Sequence, residues 1–257
     1  MARFVFASDL HGSEESYRRL FALEADGIVL GGDLLPHPRG AGKELLDLQR
    51  RFAERVLAPL LKSRPCWWIP GNDDWEAALG PLEGAGTPIH GRAVPFLDGF
   101  SIAGYSCVPV TPFGMKDFDR RDGEGWEPPV PPSRCLRSGS EGLREVPLGD
   151  VLSRDPIARD LERLGALSDP GRTVYVFHSP PRGAGLDVAF DGTPLGSAAI
   201  RAFIEARRPP LTLHGHIHES PGVARLGRTV SANPGDALHA FRALRADLGD
   251  LSVTPLR

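Results

Sequence analysis

The chain has 257 residues, 41% hydrophobic and 25% charged, with 30 Lys and Arg against 33 Asp and Glu and a net charge of -3. That is an ordinary globular composition with material for a sizeable core, and it sets up no global basic field to attract nucleic acid. No apolar run approaches the ~18 residues that would suggest a membrane span, and the three cysteines, Cys66, Cys107 and Cys135, form no CxxC pair, so neither a disulfide framework nor a thiolate zinc site is expected.

Residues Arg3 to Ser8 read as a strand that closes on Asp9-Leu-His-Gly12. The chain enters this strand at once, which leaves no room for a cleaved leader; with the cysteine usage, this predicts a cytoplasmic protein. Ser13, followed by Glu14 and Glu15, marks a helix start with acids in its first turn. Gly27 to Leu30 is a short buried strand stopped by Gly31-Gly-Asp33. Strand, helix and strand within about thirty residues form a βαβ unit, so these strands are expected to be parallel. Pro36, Pro38, Gly40 and Gly42 predict a loop. Lys43 to Leu61 has the apolar spacing of one long amphipathic helix, with Leu45, Leu46, Leu48, Phe52, Val56 and Leu60 on its core face. Pro65 to Ile69 is the third strand, ending in Pro-Gly-Asn-Asp-Asp74, and Trp75 to Leu79 starts another helix. Phe100 to Gly104 is a further strand.

From about residue 105 to 150, Pro, Gly, Arg and acidic residues dominate. This texture predicts a long loop excursion without its own core, inside a single domain spanning 1–257. Phe113, Phe118 and Trp126 within it are candidates for a lid over a site. Pro156 to Leu167 and Pro194 to Arg207 read as helices, and Thr173 to Phe177 as a strand ending in His178. Leu211 to Leu213 is a buried strand that delivers His214, His216 and His218 within five positions. Val223–Leu226, Thr229–Ala232, Ala237–Leu244 and Leu251–Pro255 read as antiparallel strands. The order of elements predicts a layered α/β protein with two mixed sheets between helices.

Polar residues at the strand ends form a pattern. Asp9 and His11 follow the first strand, Asp33 the second, Asn72 the third, His178 a later one, and His216 and His218 the next. Ligands in open α/β sheets sit beyond the carboxyl ends of the strands. Seven imidazole, carboxylate and amide groups are too many for one four-coordinate ion and suit two ions sharing a carboxylate. Mixed N/O donors favour Zn, Mn, Fe, Ni or Co over Ca or Mg. A pair of such ions can clamp a phosphoryl group and generate hydroxide at neutral pH. Taken singly, Asp9, Asp33 and Asn72 could be turn or cap residues, but capping does not explain the matching histidines. His214, His90 and His239 read as core, structural or surface groups, and Arg120-Arg121 and Arg207-Arg208 as solvated charge.

In these five segments, Asp9-Leu-His11, Gly32-Asp33, Gly71-Asn-Asp-Asp74, His178 and Gly215-His-Ile-His218, the sequence resembles the calcineurin-like metallophosphoesterases, most of all their small prokaryotic Icc-like branch. The resemblance runs over nearly the whole chain. It implies a four-layer αββα sandwich of two mixed sheets with a dinuclear site. The residues matching Asp9, His11, Asp33 and His218 would hold one ion. Those matching Asp33, Asn72, His178 and His216 would hold the other, with Asp33 bridging. One position departs from the family: its usual His after the Asn is Asp73 here. A carboxylate donates a proton only if its pKa is raised, and it opposes steadying of phosphoryl charge. The departure therefore leans toward phosphodiesters. Asp73 could also orient a water or a ligand histidine, and His37 could replace the missing imidazole or be a solvent-exposed loop residue. The expected function is a dinuclear hydrolase of a small phosphate ester using metal-bound hydroxide. Phosphomonoesterase activity and a non-catalytic metal-binding scaffold are the alternatives. A nuclease is disfavoured, and the oligomeric state is left open.

Overall fold

The computed structural model describes residues 1–37, 43–238 and 240–257. The loop expected at Pro38, Gly40 and Gly42, and His239, lie outside the described residues. In chain order the first half runs β1 (Arg3–Ala7), α1 (Glu14–Ala22), β2 (Gly27–Gly31), α2 (Lys43–Phe52), α3 (Ala58–Ser63), β3 (Cys66–Ile69), β4 (Thr87–Pro88), β5 (Ala93–Pro95) and β6 (Ser101–Tyr105). It continues with β7 (Val108–Pro109), β8 (Asp119–Arg120), β9 (Leu136–Gly139), β10 (Gly142–Glu145), α4 (Leu148–Leu152), α5 (Ile157–Gly165) and β11 (Thr173–Phe177). The last part is α6 (Ala198–Arg207), β12 (Leu211–Leu213), β13 (Gly222–Leu226), β14 (Thr229–Asn233), β15 (Ala243–Asp247) and β16 (Val253–Leu256).

Two six-stranded mixed sheets result. One has the order β16-β15-β1-β2-β3-β4, the other β13-β14-β12-β11-β6-β5. β1 to β4 pair in parallel, while β15 runs antiparallel to β1. β6, β11, β12 and β14 are parallel neighbours, with β5 and β13 antiparallel at the edges. Alternation along each strand builds the layers. Phe4 and Phe6 of β1 join Val29, Ile69, Val174, Val176, Leu211 and Leu213 in the core between the sheets. Val5 and Ala7 face the other way and pack with Tyr17, Leu20, Leu45, Leu46 and Leu61 of the helices. Tyr175 and Phe177 turn outward onto Ile157, Leu161, Leu164, Ile200 and Phe203 of α5 and α6. This is the expected arrangement of helices, two sheets and helices.

Local chemistry explains the element ends. Ser13 caps α1, its side chain accepting from Ser16 N at 3.3 Å. Ser197 caps α6 by accepting from Ile200 N at 3.0 Å, and it donates its own hydroxyl to Asp122. The long helix expected at 43–61 differs from expectation: Ala53–Leu57 forms a π turn between α2 and α3, a local widening that apolar spacing does not encode. The helix expected from Trp75 is two short 3₁₀ turns, Glu76–Ala78 and Gly80–Leu82. The expected strand at Ala237–Leu244 begins later, at Ala243.

The 105–150 stretch carries more structure than its composition suggests. β7 pairs with β8, β9 with β10, and Val110, Cys135 and Val151 form a small buried cluster against which Trp126 packs. Lys116 and Asp119 make a fully buried ion pair at 2.7 Å. The Lys116 ammonium also donates to Thr111 O, Thr111 Oγ1 and Met115 O, so it is well satisfied. Of the three candidate lid aromatics, Phe118 is buried with Tyr105 and Ile157, Trp126 covers the small cluster, and Phe113 is 64% exposed. Arg120, expected in solvent, is buried because its guanidinium donates to the Asp117 and Asp119 carbonyls. Among the described residues no helix is long and apolar enough to cross a membrane.

Candidate metal centre

The two sheets face each other so that the carboxyl ends of β1, β2, β3, β11 and β12 open at one rim. All seven strand-end residues meet there. Asp9, His11, Asp33 and His218 offer donor atoms within 4.8 Å of one another, and so do Asp33, His178 and His216. Asn72 joins the second group, its Oδ1 lying 3.2 Å from His178 Nε2. Asp33 belongs to both groups: its Oδ2 is 3.3 Å from His178 Nε2 and 3.9 Å from His11 Nε2. His218 Nε2 is 3.3 Å from Asp9 Oδ1 and 3.4 Å from His11 Nε2.

The backbone is bent to achieve this. Asp9, His11, Asp33 and His216 all have positive φ, between 43° and 67°, a region that non-glycine residues rarely adopt and that collects at functional sites. Hydrogen bonds hold it: Asp9 N donates to Gly32 O and His11 N to Asp33 O, both at 2.9 Å. Gly71 and Gly215 are required by close approach, since a Cβ on the first would collide with the Asp33 carboxylate and on the second with Ser8 and Asp9.

The donor set suits a cation. Asp9, Asp33 and His178 are buried, where unpaired charge is costly. Burial works against ionised Asp33, but the His178 and His11 imidazoles and the Asp73 amide hold its carboxyl far below the usual range. Burial likewise opposes protonated His178 and His218, yet Asp33 carries the first up to about 10 and Asp9 the second up to about 9. His216 goes the other way, to about 4, through burial and the neighbouring His178. His178 Nδ1 lies 2.8 Å from Gly31 O, so Nδ1–H donates to the carbonyl and Nε2 is the ring atom that faces Asp33 and Asn72. Metal-ligating histidines are oriented by this kind of outer contact.

His214 is the core group of the cluster, with Nε2 2.8 Å from Thr212 Oγ1 and Nδ1 3.1 Å from Ser179 O. His90 is half-buried and accepts at Nδ1 from Ser106 N at 3.0 Å. Asp73 lies on the rim: its N–H donates to Asp33 Oδ1 at 2.8 Å, and its Oδ1 accepts from Asn72 Nδ2 at 2.9 Å. His37 Nδ1 is 3.1 Å from Asp73 Oδ2, with the imidazole 34% exposed. Bonding to Asp73 raises the His37 pKa against the opposing effect of burial.

Two supporting residues were not singled out from the sequence. Asp74 is fully buried and accepts from Gly71 N, Leu34 N and Leu35 N at 2.8–3.1 Å, pinning the loop after β2 to the loop after β3. Gln49, also fully buried, donates to Pro36 O and Asp73 O and accepts from Trp75 N. The available signal was Gln49 itself, a polar residue three positions from Leu46 and Phe52 on the core face of α2.

A model of the calcineurin-like phosphoesterases matches residues 2–220. No curated protein sequence matches the chain. Among solved structures, a protein of Thermus thermophilus is similar with a TM-score of 0.62 at 18% identity, over 100% of this chain and 98% of the other. A dimetal phosphatase from Danio rerio is similar with a TM-score of 0.56 at 13% identity, over 99% of this chain and 98% of the other. At those identities the structural likeness is one of fold.

Proposed function

Since the chain belongs to the calcineurin-like phosphoesterase family, we propose that it is a dinuclear metal-dependent hydrolase of phosphate esters with a preference for diesters. The observation that carries the reading is the pair of buried donor groups sharing Asp33. Asp9, His11, Asp33 and His218 would hold one ion, and Asp33, Asn72, His178 and His216 the other, drawn from Mn, Fe, Zn, Ni or Co. Such ions, when bound, polarise phosphoryl oxygens and make water nucleophilic at neutral pH.

The chain's own groups do the rest. Gly31 O fixes the His178 tautomer, and Asp73 N–H and the bent backbone orient Asp33. Asp73 engages His37 Nδ1, which leaves His37 Nε2 as the atom to protonate a leaving oxygen. The Asp73 carboxylate repels a dianionic monoester more than a monoanionic diester, which is the basis for the diester preference. His37 offsets part of that repulsion, and this contact favours monoester hydrolysis as the second reading. The test is hydrolysis of bis(p-nitrophenyl) phosphate and p-nitrophenyl phosphate by metal-replete protein. Faster diester turnover is expected; hydrolysis of neither ester would overturn the enzyme reading.

A further inference from the structure

Outside the donor groups, Arg120, Arg137 and Arg154 gather around Asp117. Arg120 Nη1 and Arg154 Nη1 both donate to the Asp117 carbonyl oxygen, each at 3.1 Å. Arg137 Nε lies 3.9 Å from Asp117 Oδ1, beyond hydrogen-bond distance, and this buried nitrogen has no hydrogen-bond partner among the described residues. The Asp117 carboxylate is already taken by Ser138 N, Ser138 Oγ and Glu76 N. Each guanidinium carries five N–H donors in a planar fork. Among the described residues, only Nη1 of Arg120 and Nη1 of Arg154 make hydrogen bonds on these three forks.

The surplus of positive charge is felt locally. Burial, then Arg120 and Arg137, bring Arg154 down to about 10, against the opposing effects of Cys107 and exposed Glu76. Burial, then Arg120 and Arg154, push His90 down to about 4. The cluster is also tied to the rim. Glu76 follows Asp73 by three residues, ~10 Å of extended chain at most, and its N–H donates to Asp117 Oδ2 at 3.0 Å. Ala77 N donates to Ser138 Oγ at 2.9 Å.

We propose that Arg120, Arg137 and Arg154 form an anion subsite that takes a second phosphoryl group of the substrate while the ester to be cleaved lies at the Asp33 cluster. This rests on the phosphoesterase reading and narrows its substrate class to esters carrying two phosphoryl groups. Partly buried guanidinium forks with free donors match phosphate oxygens in pairs, where an ammonium offers only a point charge.

The experiment compares thymidine monophosphate with thymidine bisphosphate, the second phosphate being on the other sugar hydroxyl, by calorimetric titration of the metal-replete protein. The wild type binds the bisphosphate at least tenfold more tightly. Arg137→Gln/Arg154→Gln removes that gain, Arg137→Lys/Arg154→Lys keeps only part of it because the charges remain but the paired donors do not, and the exposed control Arg144→Gln keeps all of it. Equal affinities in the wild type, or an undiminished gain in the Gln variant, overturn the subsite. The parent reading fails by a different result: no hydrolysis of p-nitrophenyl thymidine phosphate, with or without the added phosphate, by protein that still shows the gain.

Discussion

His37 Nδ1 lies 3.1 Å from Asp73 Oδ2, joining the loop after β2 to the loop after β3. Thirty-six positions separate the two residues, and each occupies the rim of the same donor cluster. The contact gives an imidazole to a site whose third segment lacks one.

If His37 serves as proton donor, His37→Ala slows hydrolysis of alkyl esters by roughly 10²–10⁴-fold, the usual worth of general acid catalysis. Nitrophenyl esters, whose leaving groups need less protonation, lose far less. Asp73→His raises monoester turnover more than diester turnover. Steady-state rates on the two ester types check both variants; equal losses on both for His37→Ala would remove His37 from the chemistry.

Asp33 stands in both donor groups. Metal-replete wild type is expected to contain near two ions per chain, and Asp33→Ala near none. His216→Ala and His218→Ala each lose mainly one, since each belongs to a different group. Elemental analysis of the purified variants decides this, independently of any activity.

Asp74 satisfies three buried backbone N–H groups. Asp74→Ala leaves them without partners, at ~1–3 kcal/mol for each unsatisfied group. Chemical denaturation should show a loss of at least about 3 kcal/mol relative to wild type. A change under about 1 kcal/mol would mean that water replaces the carboxylate.

His90 predicts a pH dependence of stability. Its pKa falls from 6.5 to about 4, chiefly through burial and then Arg120. The unfolded chain therefore takes up the proton first as pH drops. The stability from neutral His90 is fully present above pH 6.5 and is lost as pH falls toward 4. At 1.36 kcal/mol per unit, the wild type loses about 2 kcal/mol from this group between pH 7 and pH 5. His90→Asn, whose amide oxygen can accept from Ser106 N, should show a slope shallower by that amount in denaturation at the two pH values.

Much of the fold was legible in order. The unbroken apolar run Phe4-Val5-Phe6 announced a strand, and the short βαβ spacing required parallel neighbours. The candidate ligands were legible because each follows a strand, and strand ends in such folds share a rim. The π turn at Ala53–Leu57 and the 3₁₀ turns after Trp75 were not, because apolar periodicity is tolerant of one residue more or less per turn.

By itself the sequence singled out the candidate donors: seven nitrogen- and oxygen-bearing side chains at strand ends, with Asp73 where the related family has His. Only the tertiary structure decided how those groups meet. Asp33 and His178 are 145 positions apart, and no local propensity brings them together; packing of one sheet on the other does, closed by His178 Nδ1 on Gly31 O. The same holds for His37 on Asp73 and for the three arginines on Asp117. Such contacts depend on loops crossing in space, and loop paths are fixed by buried hydrogen bonds such as those of Asp74 and Gln49, whose partners lie far away in the chain.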